Sequence, residues 1–280
     1  MEKAIKRYFP IFVLPTMIAF TLGFIIPFVE GVYLSFCKFT TVNDAKFIGF
    51  ANYAKVFADE TFVHAFWYTE AFTVVSVILI NVLAFAVALL LTKGFKGTNI
   101  FRTVFFMPNL IGGIVLGYIW QLLLNGILMK FSRTLTYSST YGFWGLIILM
   151  CWQQIGYMMI IYIAGIQNIP GELIEAAEID GATKWQIIKK VTIPMVMPSI
   201  TVCTFLTLTN SFKLFDQNLA LTNGEPSKMS EMLALNIFYT FYGRTGYEGV
   251  GQAKAVIFFI LVTVIALTQN YLTRRKEVQQ

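Results

Sequence analysis

The sequence predicts an all-α polytopic membrane protein with six transmembrane helices and cytoplasmic N- and C-termini. Three observations predict it. Hydrophobic residues fill 57% of the 280 positions and charged residues only 13%, about half the roughly 25% of a soluble globular chain; the mean hydropathy is +0.68. The charges are clustered, leaving apolar stretches of about 20 residues, the length that crosses ~30 Å of hydrocarbon. The basic residues fall in short segments between those stretches, the distribution that the positive-inside rule produces. A net charge of +6 placed this way points to membrane topology rather than to nucleic acid.

The first apolar segment runs from about Phe9 to Phe36 and contains Pro10, Pro15 and Pro27. Lys3, Lys6 and Arg7 precede it, as in a secretory leader, but the run is too long for one and no small-x-small cleavage site follows. The remaining five are approximately Thr69–Leu91, Val104–Leu124, Tyr141–Ile166, Ser199–Leu221 and Ala253–Leu272. With the N-terminus inside, Lys3, Lys6, Arg7, Lys93, Lys96, Arg102, Lys184, Lys189, Lys190, Arg274, Arg275 and Lys276 face the cytoplasm. Both ends are therefore placed inside. Tyr8, Phe9, Tyr68, Trp120, Tyr141 and Tyr271 suit the headgroup level. Gly112, Gly113 and Gly117 in the third segment, and Gly142 and Gly145 in the fourth, read as close-packing positions, because packing drives helix association in a bilayer.

Cys37, Cys151 and Cys203 are odd in number and far apart, which gives neither a disulfide framework nor a metal spacing. They read as buried small hydrophobes. No metal site, cofactor site or catalytic constellation emerges, so the chain is not expected to be an enzyme. His64 is the sole histidine and reads as a solvated outer-loop residue. The phosphate-cradling pattern Gly-x-x-x-x-Gly-Lys-Ser/Thr is missing, so the chain has no standard nucleotide loop.

Between the fourth and fifth segments, the stretch from Ile169 to Pro194 is too polar to insert. Pro170 and Glu172 suit a helix start, and Glu175-Ala176-Ala177-Glu178-Ile179 continues it with strong helix formers. Gly181 allows φ > 0 and so a reversal of the chain. An amphipathic segment from Lys184 to Val191 follows, ended by Pro194 and Pro198. The prediction is a helix-turn-helix whose apolar Ala176, Ala177, Ile179, Trp185, Ile187 and Ile188 are buried by a protein partner.

Glu175-Ala176-Ala177, then three residues, Gly181, nine residues, and Val191-x-Ile193-Pro194 resemble the EAA loop of membrane subunits of ATP-binding-cassette (ABC) importers. Asp180 and Ala182 flank the glycine as in the sugar-permease branch. The resemblance extends over nearly the whole chain, to the MalF/UgpA-type carbohydrate permeases. It includes Phe47-Ile-Gly-Phe-Ala-Asn52-Tyr53, Phe101-Arg102-Thr103 with Pro108 and Ile119-Trp120, Trp152 with Gly156, and Phe215-Asp216 with Leu221-Thr222-Asn223-Gly224-Glu225-Pro226. The family usually has glycine where Glu225 stands.

The resemblance implies a type I ABC importer permease fold: one permease domain over residues 1–280, a core over 69–272 and a coupling loop over 169–198. It implies a multi-pass chain in the cytoplasmic membrane, paired with a paralogous subunit, two ABC ATPase subunits and an extracellular or periplasmic solute-binding protein. Together they would import a sugar or oligosaccharide. ATP and Mg would sit on the ATPases, with no cofactor on this chain. ATPase coupling falls to Glu175, Ala176, Ala177, Asp180, Gly181, Ala182 and Trp185. The substrate path falls to Gln153, Gln154, Tyr157, Asn210, Lys213, Asp216 and Gln217, whose amide, hydroxyl and charged groups can bond sugar hydroxyls. Lys213 and Asp216, three apart, are expected on one helix face, where they can neutralise each other. Asn81, Asn109 and Gln121 read as interhelical hydrogen-bonding residues. The alternatives are a permease for a polyol or glycerophosphodiester, and an ion-coupled secondary transporter, which would need internal repeats that are not apparent here.

Overall fold

Proline inside a helix removes one backbone donor and drives its ring against the carbonyl four residues earlier. The chain answers twice in the same way. In the computed structural model, α1 (Glu2–Phe20) passes through a π-helical turn, Thr21–Ile25, into α2 (Ile26–Leu34). A second π turn, Ile188–Thr192, leads into the helix that carries Pro194. Each wide turn ends two residues before a proline, where i→i+5 bonding relieves the crowded carbonyl. The structure describes residues 2–94 and 96–275, with the side chains of residues 2–8, Pro10 and Phe12 left aside. The readings placed on the side chains of Lys3, Lys6, Arg7 and Tyr8, and on Lys276, lie outside the described residues.

After a two-stranded hairpin, β1 (Cys37–Lys38) and β2 (Lys46–Phe47), paired antiparallel with Cys37 opposite Phe47, come α3 (Ala51–Phe57) and α4 (Glu60–Leu91). Then follow α5 (Thr98–Phe106), α6 (Gly113–Leu128), α7 (Ser139–Gln167), α8 (Gly171–Ile179), α9 (Lys184–Ile187), α10 (Ile193–Met195), α11 (Met197–Phe212), α12 (Asp216–Leu221), α13 (Leu233–Tyr242) and α14 (Glu248–Arg274). Among the described residues, five helices are long and apolar enough to cross a membrane, and a sixth span is formed if the pair Lys184–Met195 and Met197–Phe212 counts as one, bent by 71°.

Three boundaries correct the sequence reading. Helix α4 begins at Glu60, so His64 stands on its second turn rather than in a loop, with Nε2 3.0 Å from the Met229 carbonyl oxygen. The third segment is broken: a 3₁₀ turn at Met107–Leu110 around Pro108 separates α5 from α6. The fifth is broken as well, since α11 ends at Phe212 and α12 starts at Asp216. Pro194 does not end the amphipathic segment, which runs on to Met195 and stops at the 71° bend before Pro198; Pro198 occupies the first turn of α11, where a missing N–H costs no hydrogen bond.

By contacts the chain forms two compact units, residues 1–60 with 237–260 and residues 61–236 with 261–280. In the second, Phe72, Ile80 and Ala84 of α4 form a buried core with Leu149, Met158, Met159 and Tyr162 of α7 and Cys203 of α11. Small residues set its closest approaches. A Cβ on Gly113 would lie 2.7 Å from Cβ of Asp216, and one on Gly117 would lie 2.7 Å from Cβ of Ala220, so α12 rests directly on α6. Gly142 and Gly145 are similarly enclosed, whereas Gly112 faces open space and carries no such contact. At Gly156 a Cβ would overlap the Phe105 carbonyl, which brings α5 onto α7 backbone to backbone.

Some polar side chains of this unit bond across to neighbouring helices, which satisfies them in an apolar surrounding. Tyr162 donates to Asn81 Oδ1 at 2.7 Å, and Asn81 Nδ2 bonds the Val77 carbonyl at 2.8 Å and Thr207 Oγ1 at 3.4 Å. Gln121 Nε2 reaches the Leu221 carbonyl at 3.1 Å. Both join helices as expected, but Asn109 sits half-buried in the 3₁₀ turn without such a bond. Cys37 and Cys203 are buried, and all three cysteines are free.

Candidate functional site

The loop from Ile169 to Pro194 is built by two reciprocal caps. Pro170, at φ −57° and ψ 127°, stands before α8. At the other end Gly181 takes φ +77°, its N–H bonds the Glu178 carbonyl at 3.0 Å, and the Ala182 N–H bonds the Ala177 carbonyl at 3.0 Å. This pair of bonds is a Schellman motif, which needs a left-handed residue at the position Gly181 holds. Thr183 immediately caps the next helix. Its N–H bonds Gln186 Oε1 at 2.7 Å, while the Gln186 N–H bonds Thr183 Oγ1 at 3.4 Å. The Thr-x-x-Gln spacing of residues 183–186 is the sequence signal of such a box.

Chain reversal is thus completed within Gly181–Thr183, and the residues on either side are held outward. Ile179 is 86% exposed and Trp185 70% exposed. Glu175, Ala176, Asp180 and Gly181 are exposed, and Ala177 and Ala182 are half-buried. Glu175 and Asp180 form no ion pair within the chain among the described residues. One reading is corrected here: Ile187 is 8% exposed and Ile188 half-buried, so both pack inward and are not held out with Ile179 and Trp185.

The polar residues of α7, α11 and α12 form a second cluster. Gln217 Nε2 donates to Gln153 Oε1 at 2.8 Å, and Gln153 Nε2 points to the Ile111 carbonyl at 3.5 Å. Asn210 Nδ2 lies 3.5 Å from Gln154 Oε1. Gln153 and Gln154 are buried; Asp216 is half-buried beside Gly113. Tyr157 is half-buried against the Phe106 ring, with centroids 6.4 Å apart. Lys213 does not join this group. It is exposed at the C-cap of α11, the helix ends before Asp216, and the two form no ion pair. The expected shared helix face is therefore absent, because Lys213–Phe215 is not helical.

Two buried polar hubs lie outside the candidate residues taken from the sequence. Asn218, fully buried, donates to the Ser230 carbonyl at 2.8 Å and accepts from the Met232 N–H at 3.0 Å, tying down the turn after α12. In the first unit, Lys254 Nζ lies 2.7 Å from Asp59 Oδ2 and 2.8 Å from Thr240 Oγ1, with no exposed surface of its own. Among the described residues no group of three or more His, Cys, Asp or Glu is placed to hold a metal ion.

The profile of the binding-protein-dependent transport system inner membrane component family matches residues 80–278. The chain belongs to this family. It is a multi-pass membrane transport component rather than an enzyme. This transport component is 42% identical over 278 residues to the probable starch degradation products transport system permease protein AmyD of Thermoanaerobacterium thermosulfurigenes, covering 96% of this chain and 94% of that one. It is 28% identical to the multiple sugar-binding transport system permease protein MsmF of Streptococcus mutans, with 99% of each covered. In fold, the permease is similar to a chain of a bacterial ABC transporter involved in import of the acidic polysaccharide alginate, with a TM-score of 0.82 over 98% of both chains at 23% identity. The capped loop and the amide cluster fall inside the family-matched region; the hairpin and α3 precede it.

Proposed function

We propose that this permease is one of two related membrane subunits that together form the translocation path for a sugar or oligosaccharide. A solute-binding protein delivers the substrate outside, and two ATPase subunits, which hold ATP and Mg, drive the cycle inside. This chain holds no cofactor. Its residues 1–280 act as one permease unit with both ends cytoplasmic, a core over 69–272 and the coupling loop over 169–198. Relatives named for starch products and multiple sugars support the substrate class.

The observation that carries this reading is the outward display of Ile179 and Trp185 on either side of a doubly capped turn. Large apolar side chains so exposed on a short, rigid helix pair suit a groove on a partner. Glu175 is free to meet a basic group there, with Asp180 and the small Ala176, Ala177 and Ala182 permitting close approach. Movement of this lever reaches the spans through the 71° bend that precedes α11. Gln153, Gln154, Tyr157, Asn210, Asp216 and Gln217 border the path, with Lys213 at its edge.

The test is uptake of labelled oligosaccharide by the reconstituted transporter carrying Gly181→Val. A β-branched residue at φ +77° breaks the Schellman turn, so the variant is expected in the membrane at normal level with uptake and ATPase stimulation lost. Normal uptake by that variant refutes the coupling role. Uptake that survives inactivation of the ATPases and collapses with the ion gradient refutes the whole assignment.

A further inference from the structure

The phrase Phe47-Ile-Gly-Phe-Ala-Asn52-Tyr53 has no part in the capped loop or the amide cluster. It lies in an element, residues 36–57, that connects the end of α2 to the start of α4 within the first unit. One side of this element is fastened. Asn52 Nδ2 donates to the Ser35 carbonyl at 2.9 Å and to the Cys37 carbonyl at 2.8 Å. Ser35 Oγ and the Tyr53 hydroxyl are 2.6 Å apart. Cys37, Phe39, Asn52 and Val56 are buried, and α14 comes so near at Gly249 that a Cβ there would lie 2.7 Å from Asn52 Nδ2.

The opposite side is apolar and open. Phe47 is 65% exposed, Phe50 74% and Phe57 70%. Phe50, Ala54 and Phe57, all exposed, follow the i, i+4, i+7 spacing of one helix face, while Asn52 and Val56 take the other. The rings are pre-assembled: Phe36 meets Phe50 edge-on at 5.3 Å and Phe47 at 6.4 Å, and Phe50 lies 5.9 Å from Tyr53. This face does not stand alone. Tyr33 on α2 stacks on Phe47 at 6.5 Å, and one turn earlier on the same membrane helix Val29 is exposed, while Phe28 packs on Phe259. Val29 and Tyr33, one turn apart on the span, thus lead onto the plate, with Glu30 exposed beside them and Lys38, Lys46 and Lys55 exposed around it.

We infer that residues 36–57 form a membrane-surface anchor that rests Phe47, Phe50 and Phe57 in the lipid headgroup boundary at the end of α2. Aromatic rings favour that level, and lysines with apolar stems can lie along it with their ammonium groups among phosphates. Continuity with a membrane-spanning helix favours lipid over a protein partner, since the element enters two residues after α2 ends and leaves three residues before α4 begins.

The test places photoreactive benzoylphenylalanine at Phe50 or at Phe57 in the assembled transporter in cell membranes, with Thr41 at the hairpin tip as reference. Several-fold more phospholipid adduct at 50 and 57 than at 41 is the expected result. Cross-links to another polypeptide, or no adduct beyond that at 41, overturn the anchor. A diazirine-bearing phospholipid applied to the unaltered chain gives an independent reading. Labelling within residues 46–57 is expected, and labelling of the α2 peptide without it overturns the proposal.

Discussion

Asp59→Asn changes one atom and removes the negative charge 2.7 Å from a fully buried ammonium. Lys254 Nζ sits 2.7 Å from Asp59 Oδ2, and Asp59 retains 20% exposure while Lys254 retains none. At that separation the attraction is about 6 kcal/mol with an effective dielectric of ~20, and it offsets the desolvation of both ions. Removing one partner of a buried pair typically costs about 3–5 kcal/mol, because the remaining charge stays desolvated. Asp59→Asn should fall in that range. Lys254→Met should cost less, since the carboxylate left behind already touches solvent. Thr240→Val removes a neutral acceptor 2.8 Å from Nζ and should cost about 1 kcal/mol. The assay is thermal unfolding of the purified transporter in lipid nanodiscs. A loss of this size lowers the midpoint by on the order of 10 °C. The double variant Asp59→Leu with Lys254→Met should recover most of that loss, because an apolar pair of similar volume avoids the desolvation. A midpoint for Asp59→Asn within about 2 °C of the parent, or strictly additive losses in the double variant, would refute the claim that the pair is buried and mutually dependent.

Three further outcomes follow from particular contacts. Gly156→Ala should prevent accumulation of folded protein, because the new methyl group meets the Phe105 backbone and cannot be accommodated by a side-chain rotation, whereas Gly112→Ala should be neutral; membrane immunoblots and thermal midpoints read both. Tyr162→Phe strands Asn81 Oδ1 in an apolar setting and should lower stability by about 1–3 kcal/mol, measured on the same nanodisc preparation. Asp44 accepts from the Thr40 and Thr41 N–H groups at 3.0 and 2.9 Å, which holds its carboxyl below the usual carboxylate range. A depressed value means the contribution is complete above the unfolded pKa and is lost as pH falls through the lower folded value. Exchange protection at the hairpin tip should therefore hold from neutral pH to about pH 4 and weaken only below it, whereas loss of protection between pH 7 and 5 would contradict the assignment.

Membrane helices were legible because their signal is one of length and charge, and both survive in a single sequence. What hydropathy does not carry is direction. Met107–Leu110 and Lys213–Phe215 are apolar enough, or short enough, to vanish into a window of span length, yet each breaks a helix. Pro108 marked the first break. Nothing local marked the second, because Lys213 followed by Leu214 and Phe215 can continue a helix equally well. At Pro194 the chain widens the preceding turn and continues to Met195; the stop comes at the bend before Pro198, which then starts α11.

At the candidate site, legibility followed sequence separation. Gly181 was predicted to turn with positive φ and does so, since every bond of its cap comes from residues within five positions. Ile187 was misplaced among the partner-facing residues because a helix's rotation about its axis depends on the bend at Val196, which no short window encodes. The amide pair Gln153 and Gln217 is 64 residues apart, and Asp59 and Lys254 are 195 apart. For such pairs the sequence offers only a costly polar group inside an apolar run, the standing clue that a partner exists. That clue drew attention to the glutamines and passed over Lys254, although a cation six residues inside an apolar helix is the more expensive of the two to bury. By desolvation cost, Lys254 outranks the glutamines as the residue most in need of a buried partner.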